Sequence, residues 1–119
     1  TSHAAVWAAG DVARVDGRRV EHWHAAREGG ERAALSMLGL PMSPIPPPWV
    51  FTEVAGSTVD VVGIGEPWTA ERWVRDGVLA YTNERRLVGA AIVDSAMPVE
   101  RARGAVAAGS VVKLAWDAR

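Results

Sequence analysis

The residues best suited to chemistry lie between Gly10 and Trp23, and the first of them is Asp11. It follows the apolar run 4–9, whose pattern is typical of a buried parallel strand that ends in a glycine turn at Gly10. Ligands of open α/β sheets bind beyond the carboxyl ends of the strands, where a carboxylate can accept hydrogen bonds from ligand hydroxyls. The pair Gly10-Asp11 could instead simply turn the chain, with the Asp11 side chain hydrogen-bonded to nearby backbone. The residues alone leave both interpretations open.

A second group of candidate residues, Glu21-His22-Trp23-His24, opens a predicted helix. Two histidines beside a glutamate raise the question of a metal site. Side chains at positions i and i+2 of a helix do not face each other, and the chain has one further histidine, His3. We therefore expect His22 and His24 to pack or to start the helix rather than to bind metal. Trp23 either faces a ligand or packs as an ordinary core aromatic.

The helix is predicted to run from about His22 to Leu38, after a connection that turns at Asp16-Gly17. Gly29 and Gly30 each cost about 1 kcal/mol relative to alanine inside a helix, so we expect a closely approaching neighbour there. The helix should stop at Gly39-Leu40-Pro41. Apolar or small residues recur at intervals of three and four and predict one core-facing stripe, formed by Trp23, Ala26, Gly30, Ala33, Ala34, Met37 and Leu38.

A proline-rich stretch, residues 41–48, divides the chain. Its composition favours a semi-rigid extended linker, although a ligand for an SH3-like partner would look the same. Beyond it, hairpin signals at Ala55-Gly56 and Asp76-Gly77 predict an antiparallel meander with strands at 49–54, 57–64, 72–75, 78–82 and 87–94. A helix should follow Met97-Pro98. Residues 110–119 are predicted to form a last short strand or a tail with Trp116 docked.

Composition describes an ordinary globular chain and excludes several classes of function. A chain of 119 residues with 49% hydrophobic residues can bury one core. The formal net charge of −1 gives no reason to expect nucleic acid or an anionic membrane as partner, and no apolar run is long enough to span a membrane. The absence of cysteine rules out a disulfide framework or a dithiol relay in these residues and fits a reducing cytoplasm.

The stretch Val6-Trp7-Ala8-Ala9-Gly10-Asp11-Val12-Ala13, followed by Glu21-His22-Trp23, resembles the C-terminal part of the FAD-dependent, NAD(P)H-using ferredoxin reductases. These include the putidaredoxin, rubredoxin and biphenyl-dioxygenase ferredoxin reductases, within the pyridine nucleotide-disulfide oxidoreductase superfamily. The resemblance extends, more weakly, to the end of the chain. It implies that Asp11, with Gly10, holds the ribityl chain of FAD. It also implies that Glu21, His22 and Trp23 lie against the isoalloxazine and nicotinamide site.

The resemblance adds one site residue in the second half of the chain and shows two departures. The segment 49–54 stands where the family usually has an aromatic pair followed by Ser-Asp-Gln, which places Phe51 at the flavin. Val54 replaces the amide, so the hydrogen bond of that amide is lost. The family's two Gly-rich nucleotide-binding fingerprints are missing, because Gly63-Ile64-Gly65 lacks the third glycine and precedes Glu66-Pro67. We therefore expect this chain to be a fragment, preceded in the intact enzyme by two nucleotide-binding domains.

Together these observations predict an α+β fold, an antiparallel β-meander with a C-terminal helix preceded by a strand-turn-helix remnant of an FAD-binding α/β domain. Residues 1–40 would end the FAD-binding domain, 41–48 would form the linker, and 49–119 would form the reductase C-terminal domain. The parent would pass electrons from NAD(P)H through FAD to a ferredoxin-type iron-sulfur protein, with the Arg14, Arg18 and Arg19 loop either meeting that partner or simply solvated. The fragment alone should be inactive. The alternative is a stand-alone interaction or dimerisation module without redox activity. In the isolated fragment, residues 1–40 are expected either to be captured by the 49–119 domain of a second copy, which gives a homodimer, or to be poorly ordered.

Overall fold

The computed structural model describes residues 1–63 and 65–111, which form two compact units divided between Ile45 and Pro46. The first unit contains a short 3-10 turn at Gly10–Val12 and one long helix, α1. The second contains a five-stranded sheet and a shorter helix, α2. The residues between the two regular parts, 40–48, are neither helix nor strand. The division into 1–40, 41–48 and 49–119 stays a prediction.

The predicted strand at residues 4–9 is wrong. These residues form turns and irregular chain, and most of them are exposed. A strand is stable only where a neighbour takes up its backbone hydrogen bonds, and in the described part of the chain the sheet is made of strands that all begin after residue 48. The turn and the helix of the expected strand-turn-helix unit are present.

The connection between the 3-10 turn and α1 contains the predicted Asp16-Gly17 turn. Both residues have positive φ, 49° and 78°, and the flanking Val15 and Arg18 exchange two backbone hydrogen bonds of 2.8 and 2.9 Å. Two central residues of positive φ are typical of the tight two-residue hairpin turn. The sequence signal is therefore confirmed.

Helix α1 covers Trp23–Met37, close to the predicted range. It begins at His22, whose side chain caps it, and it ends in a Schellman motif. In that motif Gly39 N–H donates to the carbonyl of Ser36 and Leu40 N–H donates to the carbonyl of Leu35. The stop signal in the sequence is thus confirmed.

The predicted core-facing stripe on α1 is largely wrong. Ala26 and Ala33 are half-buried, whereas the other five members of the stripe are exposed: Trp23, Gly30, Ala34, Met37 and Leu38. The part of the helix that lies against the Gly10 turn carries Ala26, which belongs to the predicted stripe, and Gly29, which does not. Ser36, near the helix end, accepts a 2.9 Å hydrogen bond from the indole Nε1–H of Trp7. Small residues therefore face this segment, at distances of ordinary van der Waals contact.

The sheet of the second unit is antiparallel throughout and has the order β1-β2-β5-β4-β3. Its strands are β1 Trp49–Val54, β2 Ser57–Val62, β3 Ala70–Arg75, β4 Val78–Asn83 and β5 Arg86–Val93. The predicted hairpins at Ala55-Gly56 and Asp76-Gly77 are confirmed. The order departs from a simple meander at one place, because β2 pairs with β5 and not with β3. The first hairpin is thereby added to the free side of β5.

The hydrophobic core lies between one face of this sheet and helix α2, which covers Val99–Ala107. The register places Val62 opposite Ala90 and Val78 opposite Ile92, so these side chains share the covered face. The helix contributes Ala102, Ala105 and Val106, all buried. As the sequence predicted, α2 starts directly after Pro98, which serves as its N-cap residue.

Buried Arg103 connects α2 to the chain that enters β1. Its Nε–H donates to the carbonyl of Pro47 at 3.0 Å, and its Nη1 lies 3.3 Å from Glu100 Oε1.

No helix among residues 1–63 and 65–111 has the length and apolar character needed to cross a membrane. Most of the predicted last strand or tail, including Trp116, lies outside the described residues.

Candidate functional site

The Gly10–Val12 turn presents Asp11 as an exposed carboxylate. Gly10 has a φ of +76°, a left-handed conformation that a residue with a Cβ adopts only with strain. The turn is closed by a 2.9 Å hydrogen bond from the N–H of Ala13 to the carbonyl of Gly10. The chain therefore reverses direction directly beside the carboxylate, as the Gly-Asp pair predicted.

Helix α1 packs against this turn through small residues. A Cβ built on Gly29 would lie 3.7 Å from Gly10 N and 3.8 Å from Ala9 Cβ. A neighbour is therefore present at Gly29, although at an ordinary van der Waals distance that an alanine would also tolerate. It is absent among the described residues at Gly30, where an added Cβ would meet nothing within 4 Å. The packing places the Asp11 turn beside the first half of α1.

The start of α1 carries the other site residues of the first unit. His22 Nδ1 accepts a hydrogen bond of 3.2 Å from the N–H of His24, so the expectation that His22 starts the helix is confirmed. This cap fixes one helix-terminal N–H group. The first turn of α1 contains no acidic residue. Its positive end is therefore not neutralised by its own side chains.

Trp23 is the exposed aromatic of this group. It is 58% exposed, so the alternative interpretation as a core aromatic is wrong. Its ring centroid lies 5.9 Å from that of His22 and 5.6 Å from that of His24, tilted by 33° to the first and by 75° to the second. The indole of Trp23 therefore contacts the imidazole rings of both residues that flank it in the sequence. A large part of the ring remains accessible to another molecule.

Glu21 lies immediately before the helix and forms an ion pair with Arg19. Both side chains are about half exposed, a setting in which such a pair contributes little stability. The pair nevertheless places a negative charge beside one member of the predicted arginine loop. Among residues 1–63 and 65–111, no group of three or more His, Cys, Asp or Glu side chains could hold a metal ion.

Phe51 lies in the second unit, on strand β1. It is 36% exposed, and its ring centroid is 6.0 Å from that of Trp49 at an interplanar angle of 34°. Trp49 packs against the hydrophobic core. The indole Nε1–H of Trp49 donates a 2.8 Å hydrogen bond to Oδ1 of Asp60 on β2. Phe51 is thus an accessible ring next to an anchored one.

Asp60 is the residue of this group that the sequence analysis missed. It is only 7% exposed although it carries a carboxylate. A signal was available, because the two-residue turn Ala55-Gly56 fixes a register in which Phe51 faces Asp60. The alternation along β2 also puts Asp60 on the same side as Val62. An acidic residue on the apolar side of a strand requires a polar partner.

Comparisons with known proteins were made against family models and solved structures. No family model matches the chain. The structure of Fdr9 matches with a TM-score of 0.63 and 30% sequence identity, over 77% of this chain and 26% of that one. Putidaredoxin reductase, in its covalent complex with putidaredoxin, matches with a TM-score of 0.67 and 18% identity, over 85% of this chain and 27% of that one.

A third match is the NADH:rubredoxin oxidoreductase of Clostridium acetobutylicum, with a TM-score of 0.53 and 20% identity, over 89% of this chain and 32% of that one. At 18% and 20% identity, the two named reductases support the fold alone. The chain spans between about a quarter and a third of the length of the three proteins. The chain is thus similar in fold to a portion of Fdr9 and of two reductases, those of putidaredoxin and rubredoxin, in line with the sequence resemblance to the ferredoxin reductases.

Proposed function

We propose that this chain is part of a flavoprotein that passes electrons from NAD(P)H through FAD to a small iron-sulfur protein. The observation that carries the proposal is the sequence resemblance at Gly10-Asp11 and Glu21-His22-Trp23. It is supported by the fold shared with putidaredoxin reductase and an NADH:rubredoxin oxidoreductase, and by the match to Fdr9 at 30% identity over 77% of the chain. The residues that carry the sequence resemblance, Asp11 and Trp23, are both accessible on the first unit. The 119 residues alone are proposed to be inactive.

The polar groups exposed on the first unit are of the kind that can bind a flavin nucleotide. Asp11 offers exposed carboxylate oxygens, which accept hydrogen bonds from hydroxyls such as those of a ribityl chain. The turn at Gly10 carries no side chain that would obstruct a ligand beside it. We assign Asp11 and Gly10 to holding the ribityl chain. When bound, FAD would supply the hydride acceptance and the single-electron release that protein side chains cannot.

The start of α1 supplies electrostatic complementarity to an electron-rich ring. Its first turn has N–H groups at the positive end of the helix and no acidic side chain. Glu21 and His22 lie directly before it, and His22 holds the helix end in place through its cap. Trp23 presents an accessible ring surface against which a planar nicotinamide can pack. For the second unit, we assign Phe51, the accessible ring of β1, to contact with the flavin, as the sequence resemblance implies.

The proposed acceptor is a ferredoxin-type iron-sulfur protein. Support comes from the match to a reductase whose structure was solved in covalent complex with putidaredoxin. The arginine loop at residues 14–19 offers positive charge for an acidic partner. Arg19 already pairs with Glu21, so its contribution to the field of this loop is reduced.

The test uses the full-length product of the gene that encodes this chain. It should purify with bound flavin and reduce an artificial dye with NAD(P)H. Replacing Trp23 by alanine should raise the KM for the nicotinamide and change the charge-transfer absorbance, because the accessible ring is lost. The matched control is Trp73→Ala on β3, which removes an equally large ring that is 62% exposed. It should leave both quantities unchanged.

One result would refute the proposal, and a second would refute one of its residue assignments. A protein that purifies without flavin and shows no nicotinamide-dependent dye reduction would exclude the activity and favour a stand-alone interaction module. Wild-type kinetics and spectra in the Trp23→Ala variant of a flavin-containing protein would refute only the role of Trp23.

A further inference from the structure

Asp60 occupies a place that is costly for a carboxylate. It lies on the same side of β2 as Val62, a core residue, and opposite Ile92 of β5, which is fully buried. A carboxylate in such surroundings loses its hydration and must regain hydrogen bonds from the protein. An apolar side chain of similar size would avoid this cost. We therefore expect the Asp60 carboxylate to have a role other than filling space in the core.

The geometry around Asp60 indicates that role. Its Oδ1 accepts the indole Nε1–H of Trp49 at 2.8 Å, the length of a charge-assisted hydrogen bond. The register of the β1–β2 hairpin places Asp60 directly opposite Phe51, so its side chain lies on the same face as both rings of the pair. One carboxylate thus adjoins both aromatic residues of β1.

The Trp49 ring connects this carboxylate to the exposed Phe51 ring. On one side Trp49 packs against the hydrophobic core, and on the other its centroid lies 6.0 Å from that of Phe51. Packing alone allows an indole to slide or to flip about its last torsion, which is broad and roughly two-fold. A hydrogen bond from Nε1 to a fixed acceptor selects one orientation. The ring against which Phe51 rests is then also fixed.

We propose that Asp60 is a positioning residue for the redox site, which holds the Trp49 indole in one orientation and thereby sets the position of Phe51. This inference rests on the proposed function in that Phe51 faces the flavin or the nicotinamide. Asp60 itself does not touch either molecule in this scheme. Its effect on turnover passes through the two aromatic rings.

Two substitutions at Asp60 distinguish an effect on the orientation of the Trp49 indole from an effect on the stability of the fold. Asp60→Asn keeps a side-chain oxygen that can accept the indole N–H, whereas Asp60→Leu keeps the number and branching of the side-chain heavy atoms and removes the acceptor. The matched control is Asp94→Asn, which changes another carboxylate of the same sheet. Asp94 accepts hydrogen bonds from Thr58 N–H and Ser57 Oγ at the turn end of β2. Its loss should lower stability without moving the aromatic pair.

The first readout is made on the 119-residue chain and does not depend on flavin. The indole N–H resonance of Trp49, assigned with Trp49→Phe, should move upfield and exchange faster in Asp60→Leu. The near-ultraviolet circular dichroism of the aromatic pair should weaken in the same variant. Asp60→Asn should retain both signals, and Asp94→Asn should leave them unchanged. An Asp60→Leu variant with the wild-type indole resonance would overturn the positioning role.

The second readout is made on the full-length protein. Asp60→Leu should change the flavin absorption spectrum and raise the KM for the nicotinamide by on the order of tenfold, since a misplacement of about 1 Å can cost up to 100-fold. Asp60→Asn should restore most of this loss even if it melts at a lower temperature. If the full-length protein holds no flavin, the proposed function fails while the indole readout still decides whether Asp60 orients Trp49. If the indole N–H resonance of Trp49 shifts in Asp60→Leu while the flavin absorption spectrum stays the same, the link between Asp60 and the redox site is refuted.

Discussion

At the scale of single residues, the sheet also shows how one exposed charge influences a neighbouring phenol. Tyr81 on β4 is half-buried, and its ring packs edge-on against Trp68 with centroids 5.2 Å apart. The indole Nε1–H of Trp68 donates to Glu71 Oε1 at 3.0 Å. Burial raises the pKa of Tyr81 above its usual value of 10.0, and the negative charge of Glu71 raises it further. Both causes favour the neutral phenol in the folded state.

Replacing Glu71 by glutamine should lower the pKa of Tyr81 toward its usual value. Glutamine keeps an oxygen that can accept the Trp68 N–H, so the charge is lost and the contact is retained. Tyr81 is the only tyrosine of the chain, so tyrosinate absorbance reports this group alone. The control is Glu53→Gln, which removes the same charge from β1 at the opposite edge of the sheet. An unchanged titration of Tyr81 in Glu71→Gln would contradict the assigned cause.

The same shift predicts how stability depends on pH. Because the pKa of Tyr81 is higher in the folded state than in the unfolded chain, this group's contribution to stability is complete below the unfolded value of about 10. The contribution is lost as the pH rises from there through the folded pKa. Unfolding by alkali should therefore be less sensitive to pH in Glu71→Gln than in the wild type.

At the scale of elements, local signals predicted most of the secondary structure. Two-residue turns, a glycine stop and a proline start each act over a few residues, and they placed α1, the hairpins and α2 close to their observed positions. The strand at 4–9 was wrong, since an apolar run does not show whether another strand lies beside it. The β2–β5 pairing was missed for the same reason, because it joins residues about 30 positions apart that no turn connects.

The stripe on α1 failed because periodicity identifies a face without stating what covers it. Trp23, Met37 and Leu38 fit an apolar face, yet they are exposed, and the part of the helix that lies against the Gly10 turn carries Gly29 and Ala26. Small residues give a weak hydrophobic signal although they permit the closest approach. The candidate site was predictable where it depended on short motifs. The role of Asp60 required the hairpin register as well.

Replacing Gly30 by alanine should stabilise α1. Its φ is not in the left-handed region, and an added Cβ would meet no other atom within 4 Å. Alanine gains about 1 kcal/mol over glycine in a helix interior. Amide exchange of α1 should slow by a corresponding factor of roughly five. Faster exchange in this variant would show that Gly30 serves a contact in the folded chain.

The matched contrast is Gly63→Ala at the end of β2. Gly63 has a φ of +79°, and its Cβ would collide with the carbonyl of Val88 and lie 2.9 Å from Gly89 Cα. Strain and collision act together there, so the sheet should lose stability. If the change in the free energy of unfolding has opposite signs in the two variants, then alanine is tolerated at position 30 and glycine is required at position 63.

At the scale of the whole molecule, the two units differ in how they bury apolar surface. Among the described residues, the buried members of the hydrophobic core all lie between Val62 and Val106. In the first unit the sole buried residue among those described is His24, while Val12, Met37 and Leu38 are among several large apolar side chains exposed to solvent. A helix of this length is marginal in water unless packing supports it. The first unit therefore needs another surface to cover it.

In the isolated chain we expect that surface to come from a second copy. Amides of α1 should exchange much faster than those of β5 in dilute solution, because β5 lies at the centre of the sheet and contributes three core residues, Leu87, Ala90 and Ile92. As the protein concentration rises, α1 should become protected and light scattering should report a dimer. Capture of an identical element by a partner copy is a low-cost route to such a dimer. The linker of residues 41–48 gives that exchange a hinge.

A charge placed on the exposed apolar side of α1 decides between this explanation and intrinsic stability of the helix. Leu38→Glu should abolish both the dimer and the concentration-dependent protection, because a carboxylate cannot be covered by an apolar surface without losing its hydration. Val54→Glu introduces the same charge at an exposed valine of β1 and should leave the dimer intact. A chain that stays monomeric at every concentration while α1 is as well protected as β5 would refute the prediction. In that case residues 1–45 would be stabilised within their own chain, and their exposed apolar side chains would not require a partner.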